Sequence, residues 1–277
     1  MGSSWLGAWR LLRVLACILG GVLIQLVAFP RWNPAQREQA VVQWARRMLA
    51  AMGVRVVLTG VPAAGPVVYV CNHVSWLDIL VCHSQFFSCF VAKGEVHAWP
   101  LIGRMAQQAG TVFIERASRR DALRVVHHMA DELRRQQALT VFPEGTTNDG
   151  LTVLPFHANL LQAAIVAEAP IQPMGLSYWP IHGSGQKSQA PRFVGEDTLL
   201  RSVWRTVCSP GVVARLHLGE PEWPGGRDRR QWAAELQSTV AAQTAEINRL
   251  IDRIDHLDRI VHKYINGEAH GTKCKNQ

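Results

Sequence analysis

From residue 54 onward, short apolar runs alternate with segments of helical character, and this alternation limits the possible folds more than any other feature. Alternation of this kind is typical of a mostly parallel sheet flanked by helices, because parallel strands need helical crossovers that cover both faces. We therefore predict an α/β fold for this part of the chain. The predicted strands are 54–58, 67–71, 89–92, 111–114, 139–142, 171–178 and 212–218, and the predicted helices are 76–85, 99–108, 118–137 and 158–168.

Residues 1–52 precede this alternation, and we predict that they form membrane-anchoring helices. Residues 14–29 carry no formal charge, a stretch marginal in length for a helix that crosses a bilayer. Trp5, Trp9 and Trp32 bracket it, as aromatic side chains do at membrane interfaces. A second helix, amphipathic and basic, follows two prolines. We expect a helical hairpin that enters and leaves one leaflet. A spanning helix, a cleaved signal peptide and a surface helix packed on the domain are the alternatives.

The positive charge of the protein is concentrated in this N-terminal segment. The chain contains 29 Lys and Arg residues and 21 Asp and Glu residues, which gives a formal net charge of +8. The first 60 residues, with seven Arg and one Glu, account for +6 of it. The remaining body is nearly neutral, so nucleic-acid binding is disfavoured and an anionic membrane surface is the expected partner.

Cysteine usage indicates the compartment in which the protein works. The six cysteines show neither a CxxC pair nor the spacing of a disulfide framework. Four of them lie in apolar runs, where a free thiol behaves as a small hydrophobic group. We expect a reducing, cytosol-facing compartment and no structural zinc.

Residues 226–277 are predicted to form a C-terminal helix followed by a polar tail, which leaves 53–225 as the α/β domain. No Gly or Pro interrupts residues 229–264. Apolar residues recur there at spacings of three and four, a coiled-coil-like seam. We expect the seam to pack against the domain, with self-association as the alternative. The seam consists of Ile247, Leu250, Ile254, Leu257, Val261 and Tyr264.

The segment from Asn72 to Asp78 has the clearest potential for chemistry. It follows a predicted buried strand, and the carboxyl ends of parallel strands are where sites form. Asp78, five residues after His73 at the start of a helix, can accept a hydrogen bond from one ring nitrogen. Such a contact fixes the tautomer and raises the basicity of the other nitrogen, as a general base requires. A surface His and a helix-capping Asp would produce the same pattern.

Two further segments place candidate functional residues directly after predicted strands. Phe142-Pro-Glu-Gly-Thr-Thr follows an apolar strand, and Gly145 in it offers a backbone N–H to a ligand oxygen. Gly110-Thr-Val-Phe-Ile-Glu-Arg116 places Arg116 after another strand, where a guanidinium can bind phosphate or carboxylate. Each segment alone is also compatible with an ordinary turn or a solvent-exposed Arg.

In this order, the motifs NHxSWLD at 72–78, GxxFIxR at 110–116 and FPEGT at 142–146 resemble those of the membrane-bound glycerolipid acyltransferases typified by 1-acylglycerol-3-phosphate acyltransferase. The Pro-bearing strand 169–173 lies at the position of the family's fourth block. The resemblance covers roughly residues 40–220. It implies catalysis by His73 and Asp78 and acceptor binding by Arg116, Glu144, Gly145 and Thr146, with Asn72, Ser75 and His157 as candidate auxiliary residues.

The resemblance also implies a mechanism. His73, oriented by Asp78, takes the proton from a lysolipid hydroxyl, which attacks the thioester of acyl-CoA or acyl-carrier protein without an acyl-enzyme. Gly145 is the expected oxyanion contact. No metal or cofactor is expected besides the thioester co-substrate. The implied location is a bacterial inner membrane, with the catalytic domain on the cytoplasmic face.

Two departures from the family pattern leave the acceptor open. The family commonly reads FPEGTR, but Thr147 stands here, and the PFKxG block reads Pro155-Phe-His-Ala-Asn159. A Lys, an Arg and a Gly are therefore missing. His157 or Arg104 would have to compensate. We expect 1-acyl-glycerol-3-phosphate as acceptor and phosphatidic acid as product, with lyso-ornithine lipid as the alternative acceptor.

Other classes of function remain open from the residues alone. A metal hydrolase would need ligands beside His73 and Asp78, and the adjacent His127 and His128 on one helix point apart. A serine-hydrolase mechanism lacks support because the chain has no GxSxG elbow. A non-catalytic, membrane-tethered lipid-binding protein is the alternative from another class.

Overall fold

A seven-stranded sheet lies at the centre of the computed structural model, which describes residues 4–99, 102–114, 119–181 and 186–271. The apolar runs predicted as strands all form strands, with ends that differ from the predicted ones by at most two residues. The strands are β1 (Val54–Thr59), β2 (Val68–Cys71), β3 (Cys89–Lys93), β4 (Val112–Ile114), β5 (Leu139–Val141), β6 (Ile171–Pro180) and β7 (Val212–Leu218).

The strand order is β1-β7-β6-β2-β5-β3-β4, and the predicted mostly parallel sheet is confirmed. Within the described part of the chain, β6 and β7 form the one antiparallel pair, and the other five neighbouring pairs are parallel. The central strand β2 is buried along its whole length because its run VYVC is covered on both faces. Its two neighbours, β5 and β6, position the loops discussed below.

Helices flank the sheet, as the α/β pattern predicts. The predicted helix 118–137 corresponds to α5, whereas Ser118 itself lies outside the described residues. Helix α7 was not predicted from the sequence; Thr198 caps it by accepting a hydrogen bond from the Arg201 N–H. The helices are α1 (Ser4–Val27), α2 (Pro34–Met52), α3 (Leu77–His83), α4 (Ile102–Gln108), α5 (Arg119–Arg134), α6 (Gln162–Ala167), α7 (Leu199–Val207) and α8 (Arg229–Gly271).

Helices α1 and α2 form the predicted helical hairpin. Asn33 begins α2 with a reciprocal capping box to Gln36, and Gly53 ends it in the left-handed conformation with φ 77°. The Trp44 indole donates a hydrogen bond of 2.9 Å to the carbonyl of Cys17, which joins the two helices. The hairpin also packs on the domain, which favours a retained segment over a cleaved signal peptide.

Opposite faces of α1 have different neighbours. Gly7, Val14 and Gly21, spaced seven residues apart, are buried against the protein. By length and composition, the helix and the turn after it, Ser4–Arg31, are apolar enough to cross a membrane. The outward face consists of large apolar side chains with no protein covering them, which is typical of a helix in contact with lipid. These exposed side chains are Trp5, Trp9, Leu12, Leu15, Leu19, Leu23, Leu26 and Val27.

The C-terminal helix differs from the prediction in two respects. Its first half packs on the domain through Trp232 and Leu236, as expected. Of the seam residues, however, Ile247 is buried, whereas Leu250, Ile254 and Leu257 are exposed. The expectation that the seam packs against the domain is therefore wrong beyond Ile247, because α8 follows the helical period and buries Ile251 instead of Leu250.

The side chains of Val261 and Tyr264 lie outside the described residues. The helix itself continues to Gly271, beyond the predicted helical segment and into the stretch expected to be a polar tail.

Candidate active site

Two loops meet at the carboxyl ends of β2 and β5, which are neighbours in the sheet. The His73 N–H donates a hydrogen bond of 2.8 Å to Glu144 Oε1, and the Asn148 N–H donates one of 2.9 Å to the His73 carbonyl. The separate sequence motifs at 72–78 and 142–146 therefore lie on loops that are bonded directly to each other.

The predicted hydrogen bond between His73 and Asp78 is confirmed, with 2.8 Å between Nδ1 and Asp78 Oδ2. Asp78 lies in the first turn of α3, where the helix dipole favours an acid. A carboxylate only accepts, so Nδ1 carries the proton and Nε2 is the nitrogen left for a substrate. The Asp78 side chain is fully buried, whereas that of His73 is 18% exposed, which leaves the imidazole accessible.

Further donors hold the Asp78 carboxylate in place. The backbone N–H groups of Val74 and Ser75 donate to Oδ2 at 2.7 and 3.0 Å, and the hydroxyl of Tyr178 donates to Oδ1 at 2.6 Å. Burial, and then the neighbouring charge of Asp78, raise the pKa of Tyr178 well above its usual value, so it stays protonated as a donor. The carboxylate thus accepts hydrogen bonds at both oxygens and has a fixed orientation.

The aromatic ring of Phe142 covers one face of the imidazole. The ring centroids of His73 and Phe142 are 4.0 Å apart and the planes are inclined by 11°. Phe142 comes directly after β5, so the neighbouring strand supplies an apolar wall for the ring that β2 carries. The contact excludes water from this face of the imidazole and restricts the side chain to one orientation.

Glu144 does not line an acceptor site as expected; it points inward. Its Oε2 accepts hydrogen bonds from the Leu154 N–H at 3.0 Å and from the Asn148 amide, while Oε1 holds the His73 backbone. Burial raises the pKa of Glu144, and these three hydrogen bonds counteract the rise. Because Glu144 is only 4% exposed and both of its oxygens accept hydrogen bonds from the two loops, it fixes the position of His73 and presents little surface to a ligand.

Gly145 also departs from its expected role. Its N–H donates to the Phe142 carbonyl at 3.1 Å and closes a turn with a φ of 72°, so it is not available as an oxyanion contact in this arrangement. Thr146, by contrast, is exposed on the same loop, and its hydroxyl is 3.5 Å from the Thr147 carbonyl. Of these two predicted acceptor residues, Thr146 has a side chain that is exposed beside the site.

The three candidate auxiliary residues fall into two groups. The Asn72 side chain is buried and bonds both the N–H and the carbonyl of Leu176 on β6, at 2.8 and 3.0 Å. The Ser75 hydroxyl is buried and donates to the Pro191 carbonyl at 2.5 Å. Both therefore stabilise the loop and do not face a substrate. His157 is exposed, and its backbone N–H bonds the Pro143 carbonyl, which places it beside the FPEGT loop.

Arg116, the expected ligand for an anionic head, lies outside the described residues. The strand before it, β4, is at the edge of the sheet, with β3 and β5 between it and β2. The Thr147 hydroxyl, at the position where the family commonly has Arg, donates to the Phe193 carbonyl at 2.5 Å. Among the described residues, no group of three or more His, Cys, Asp or Glu side chains is arranged to hold a metal ion.

Two residues of the site were missed from the sequence. Tyr178 is the last residue of a predicted strand and has no predicted role in the site, and Asn148 has no predicted role either. Their partners, Asp78 and Glu144, are 100 and 4 residues away in the chain. For Asn148, an amide four residues after a buried carboxylate was a usable signal. For Tyr178, no local pattern identifies which strand lies beside β2.

Comparisons with known proteins agree with this geometry. A family model described as Acyltransferase matches residues 53–177. A lyso-ornithine lipid O-acyltransferase of Pseudomonas aeruginosa is 35% identical over 204 residues, which cover 74% of this chain and 78% of that protein. A 1-acyl-sn-glycerol-3-phosphate acyltransferase of Neisseria meningitidis serogroup B is 38% identical over 188 residues, covering 66% and 71%.

A solved structure has the same fold. The crystal structure of the 1-acyl-sn-glycerophosphate acyltransferase PlsC from Thermotoga maritima superposes with a TM-score of 0.60 and 22% sequence identity. The match covers 86% of this chain and 97% of that chain, so it includes more than the α/β domain.

Proposed function

The chain belongs to the glycerolipid acyltransferase family and is an acyltransferase, and we propose that it acylates the free hydroxyl of 1-acyl-glycerol-3-phosphate to give phosphatidic acid. The observation that carries this proposal is the hydrogen bond of 2.8 Å between His73 Nδ1 and the buried Asp78 carboxylate. It leaves Nε2 as the base, since Nδ1 is bonded to the carboxylate.

The proposed reaction uses His73 as both base and acid. Nε2 takes the proton of the acceptor hydroxyl as its oxygen attacks the thioester carbonyl and forms the new C–O bond. Collapse of the tetrahedral intermediate breaks the C–S bond, and the proton passes from the imidazolium to the leaving thiolate. Asp78 stays ionised and stabilises the imidazolium throughout. No acyl-enzyme is formed, so His73 and Asp78 are the proposed catalytic residues.

We further propose that the donor is acyl-CoA or acyl-carrier protein and that no metal or cofactor takes part. Arg116, Thr146 and His157 are the proposed contacts to the anionic head of the acceptor. The exposure of Thr146 and His157 on the FPEGT side of the site supports this assignment.

One observation favours lyso-ornithine lipid as a second candidate acceptor. Thr147 stands where a phosphate-binding Arg is common in the family, and its hydroxyl is bonded to the Phe193 carbonyl. An acceptor site with fewer cations suits a zwitterionic head better than a phosphomonoester, since a phosphomonoester carries up to two negative charges. The Pseudomonas aeruginosa relative named for that activity is consistent with this alternative.

Two assays test the proposal. Purified protein in detergent is given lysophosphatidic acid and lyso-ornithine lipid side by side, each with labelled acyl-CoA and with acyl-carrier protein. We expect His73→Ala to lower the rate at least about a hundredfold, the usual scale for a general base. His128→Ala, on an exposed side chain of α5, is the matched control. A His73→Ala enzyme that acylates at the wild-type rate would falsify the proposal.

We propose that the protein works on the inner membrane of a bacterium, with the α/β domain on the cytoplasmic face and the outward face of α1 in one leaflet. The exposed apolar face of α1 supports this arrangement. Leu19→Gln/Leu26→Gln should move the protein from the membrane to the soluble fraction without disturbing the buried face. Leu123→Gln/Leu151→Gln, which changes two similarly exposed leucines, should leave it on the membrane. Equal membrane binding of both variants would contradict the anchor.

The side of the membrane is tested separately. Protease added to intact spheroplasts should leave the α/β domain uncut, whereas protease added after lysis should cut it. Digestion in intact spheroplasts would place the domain on the other face.

A further inference from the structure

The two oxygens of Asp78 have different partners. Oδ2 accepts from His73 Nδ1 and from the backbone N–H groups of Val74 and Ser75. Oδ1 accepts at 2.6 Å from the hydroxyl of Tyr178, which is fully enclosed in the fold at 2% exposure. The three donors on Oδ2 belong to the loop that carries Asp78, whereas Tyr178 belongs to β6, on the side of β2 opposite β5.

We propose that Tyr178 is a positioning residue for acyl transfer, which holds the Asp78 carboxylate and thereby adjusts the basicity of His73. The inference rests on the proposed roles of His73 and Asp78. Tyr178 does not touch the reacting atoms; it acts through the carboxylate that bonds the imidazole.

The physical argument concerns how the carboxylate charge is shared. A hydrogen bond from a buried hydroxyl to a carboxylate is stronger than one between neutral groups and draws charge toward Oδ1. Without it, Oδ1 loses the one partner it has in the described residues and the charge is shared by the donors on Oδ2. The more basic carboxylate then holds the imidazolium more tightly, so the base gives up its proton at a higher pH. The Asp78 side chain also loses the hydrogen bond from Tyr178 that keeps its carboxylate from rotating.

Other ionisable groups face the pair from each packed element. Burial raises the pKa of the Cys71 thiol on β2 well above its ordinary value, and the pKa of Glu144 is raised by burial as well. The groups around Asp78 and His73 are Cys71 of β2, Cys82 of α3, Glu144 after β5 and Tyr178 of β6. Because Phe in place of Tyr leaves the other three unchanged, a shift in the pH profile reports the hydroxyl.

The test compares two Tyr→Phe variants of the full-length protein. Tyr178→Phe removes the hydroxyl on Asp78. Tyr69→Phe is a matched control, since Tyr69 is also 2% exposed but its hydroxyl donates to the Ala63 carbonyl at 3.1 Å. For Tyr178→Phe we expect kcat to fall about tenfold or more, an unchanged KM for both substrates and a shift of the acidic limb of kcat/KM to higher pH. Tyr69→Phe should keep the wild-type kcat and pH profile.

Two results would overturn the inference. One is a Tyr178→Phe enzyme with wild-type kcat and pH profile. The other is an equal fall of kcat in both variants with no shift of the profile, which would mean a structural role only. The His73→Ala enzyme distinguishes these failures from a failure of the proposed function. If His73→Ala is inactive while either result above is found for Tyr178→Phe, the proposed function stands and only the inference about Tyr178 fails.

Two further measurements test the inference, and the first does not depend on the stability of Tyr178→Phe. Site-specific 3-fluorotyrosine at position 178 keeps the shape and strengthens the donor, so the acidic limb should move to lower pH. In an Asp78→Asn background, Tyr178→Phe should have little additional effect, because the two groups act on the same path. An unmoved profile in the first experiment, or a full additional loss of kcat in the second, contradicts the inference.

Discussion

Glu144→Gln distinguishes a residue that holds His73 from one that binds the acceptor. The substitution keeps the size and shape of the side chain but replaces one oxygen by an amide NH2. If Oε1 stays on the His73 N–H, the new NH2 faces the Leu154 N–H and the Asn148 amide, which both donated to Oε2. Three donors then face one another in a buried site.

The expected cost follows from these contacts. A buried donor left without an acceptor costs about 1–3 kcal/mol. The Leu154 N–H and the Asn148 amide both lose their acceptor, which predicts a loss of about 2–6 kcal/mol in the free energy of unfolding. That is a large part of the roughly 5–15 kcal/mol that holds a typical domain together. Because Glu144 does not face the acceptor, we expect KM for the lysolipid to change less than about twofold, whereas kcat falls with the position of His73.

Urea denaturation and steady-state kinetics in the same detergent measure both quantities. Glu144→Gln/Asn148→Asp provides a rescue, because a carboxylate then lies opposite the new amide, and we expect about 1–2 kcal/mol of stability to return. If KM for the lysolipid rises more than tenfold while stability stays at the wild-type value, Glu144 binds the acceptor and the argument from its inward contacts is wrong.

Three shorter predictions concern pH, packing and the acceptor. Burial lowers the pKa of His83 to about 4, so the folded state binds fewer protons than the unfolded state below pH 6.5, and the free energy of unfolding should fall by about 3 kcal/mol between pH 6.5 and 4. His83→Phe should remove that part of the fall in urea denaturation at several pH values. A Cβ at Gly21 would lie 2.5 Å from Trp44 Nε1, whereas one at Gly20 meets nothing within 4 Å. Gly21→Ala should therefore lower the free energy of unfolding, whereas Gly20→Ala should raise it by about 1 kcal/mol through its higher helix propensity. Melting temperatures of the two variants measure the difference, and equal shifts would contradict the packing of α1. Thr147→Arg should lower KM for lysophosphatidic acid relative to lyso-ornithine lipid in competition assays, and an unchanged ratio would mean that position 147 does not contact the head.

The parts of the site that the sequence predicted are local in the chain. His73 and Asp78 are five residues apart, and a strand followed by a helix start is enough to bring them together. The contacts from Tyr178 to Asp78 and from His73 to Glu144 join residues 100 and 71 positions apart. They depend on which strands lie beside β2, and strand order is not encoded in hydrophobic periodicity.

The same reasoning explains the errors in the predicted fold and site. Periodicity gives the existence of β6 and β7 but not their antiparallel pairing, since a strand has the same alternation in either direction. The sequence predicts that Gly145 offers its backbone N–H to a ligand oxygen, whereas in the structure Gly145 lies in a turn with a φ of 72°. Whether the Gly145 N–H faces a ligand or closes a turn depends on the position of the Phe142 carbonyl. That position is a backbone property and cannot be predicted from the residue types.

The N-terminal helices share a buried core with the α/β domain. Met48 and Met52 of α2 belong to the same buried cluster as Leu77 and Phe142, so the predicted boundary between residues 52 and 53 crosses a continuous core. Arg10 of α1 donates to three carbonyls at and just after the end of α7, those of Val207 at 3.1 Å, Ser209 at 2.7 Å and Pro210 at 3.3 Å.

Helix α7 in turn connects α1 to the catalytic loop. The hydroxyl of Ser202 in this helix accepts a hydrogen bond of 3.1 Å from the indole of Trp76, and Trp76 lies two residues before Asp78. Because protein interiors are close-packed, a shift of α1 relative to the domain would disturb contacts that support the loop of His73. With α1 in one leaflet, as proposed above, its orientation would therefore also set the orientation of the imidazole relative to the lipid surface. An acceptor that remains in the leaflet would meet the base in a fixed geometry.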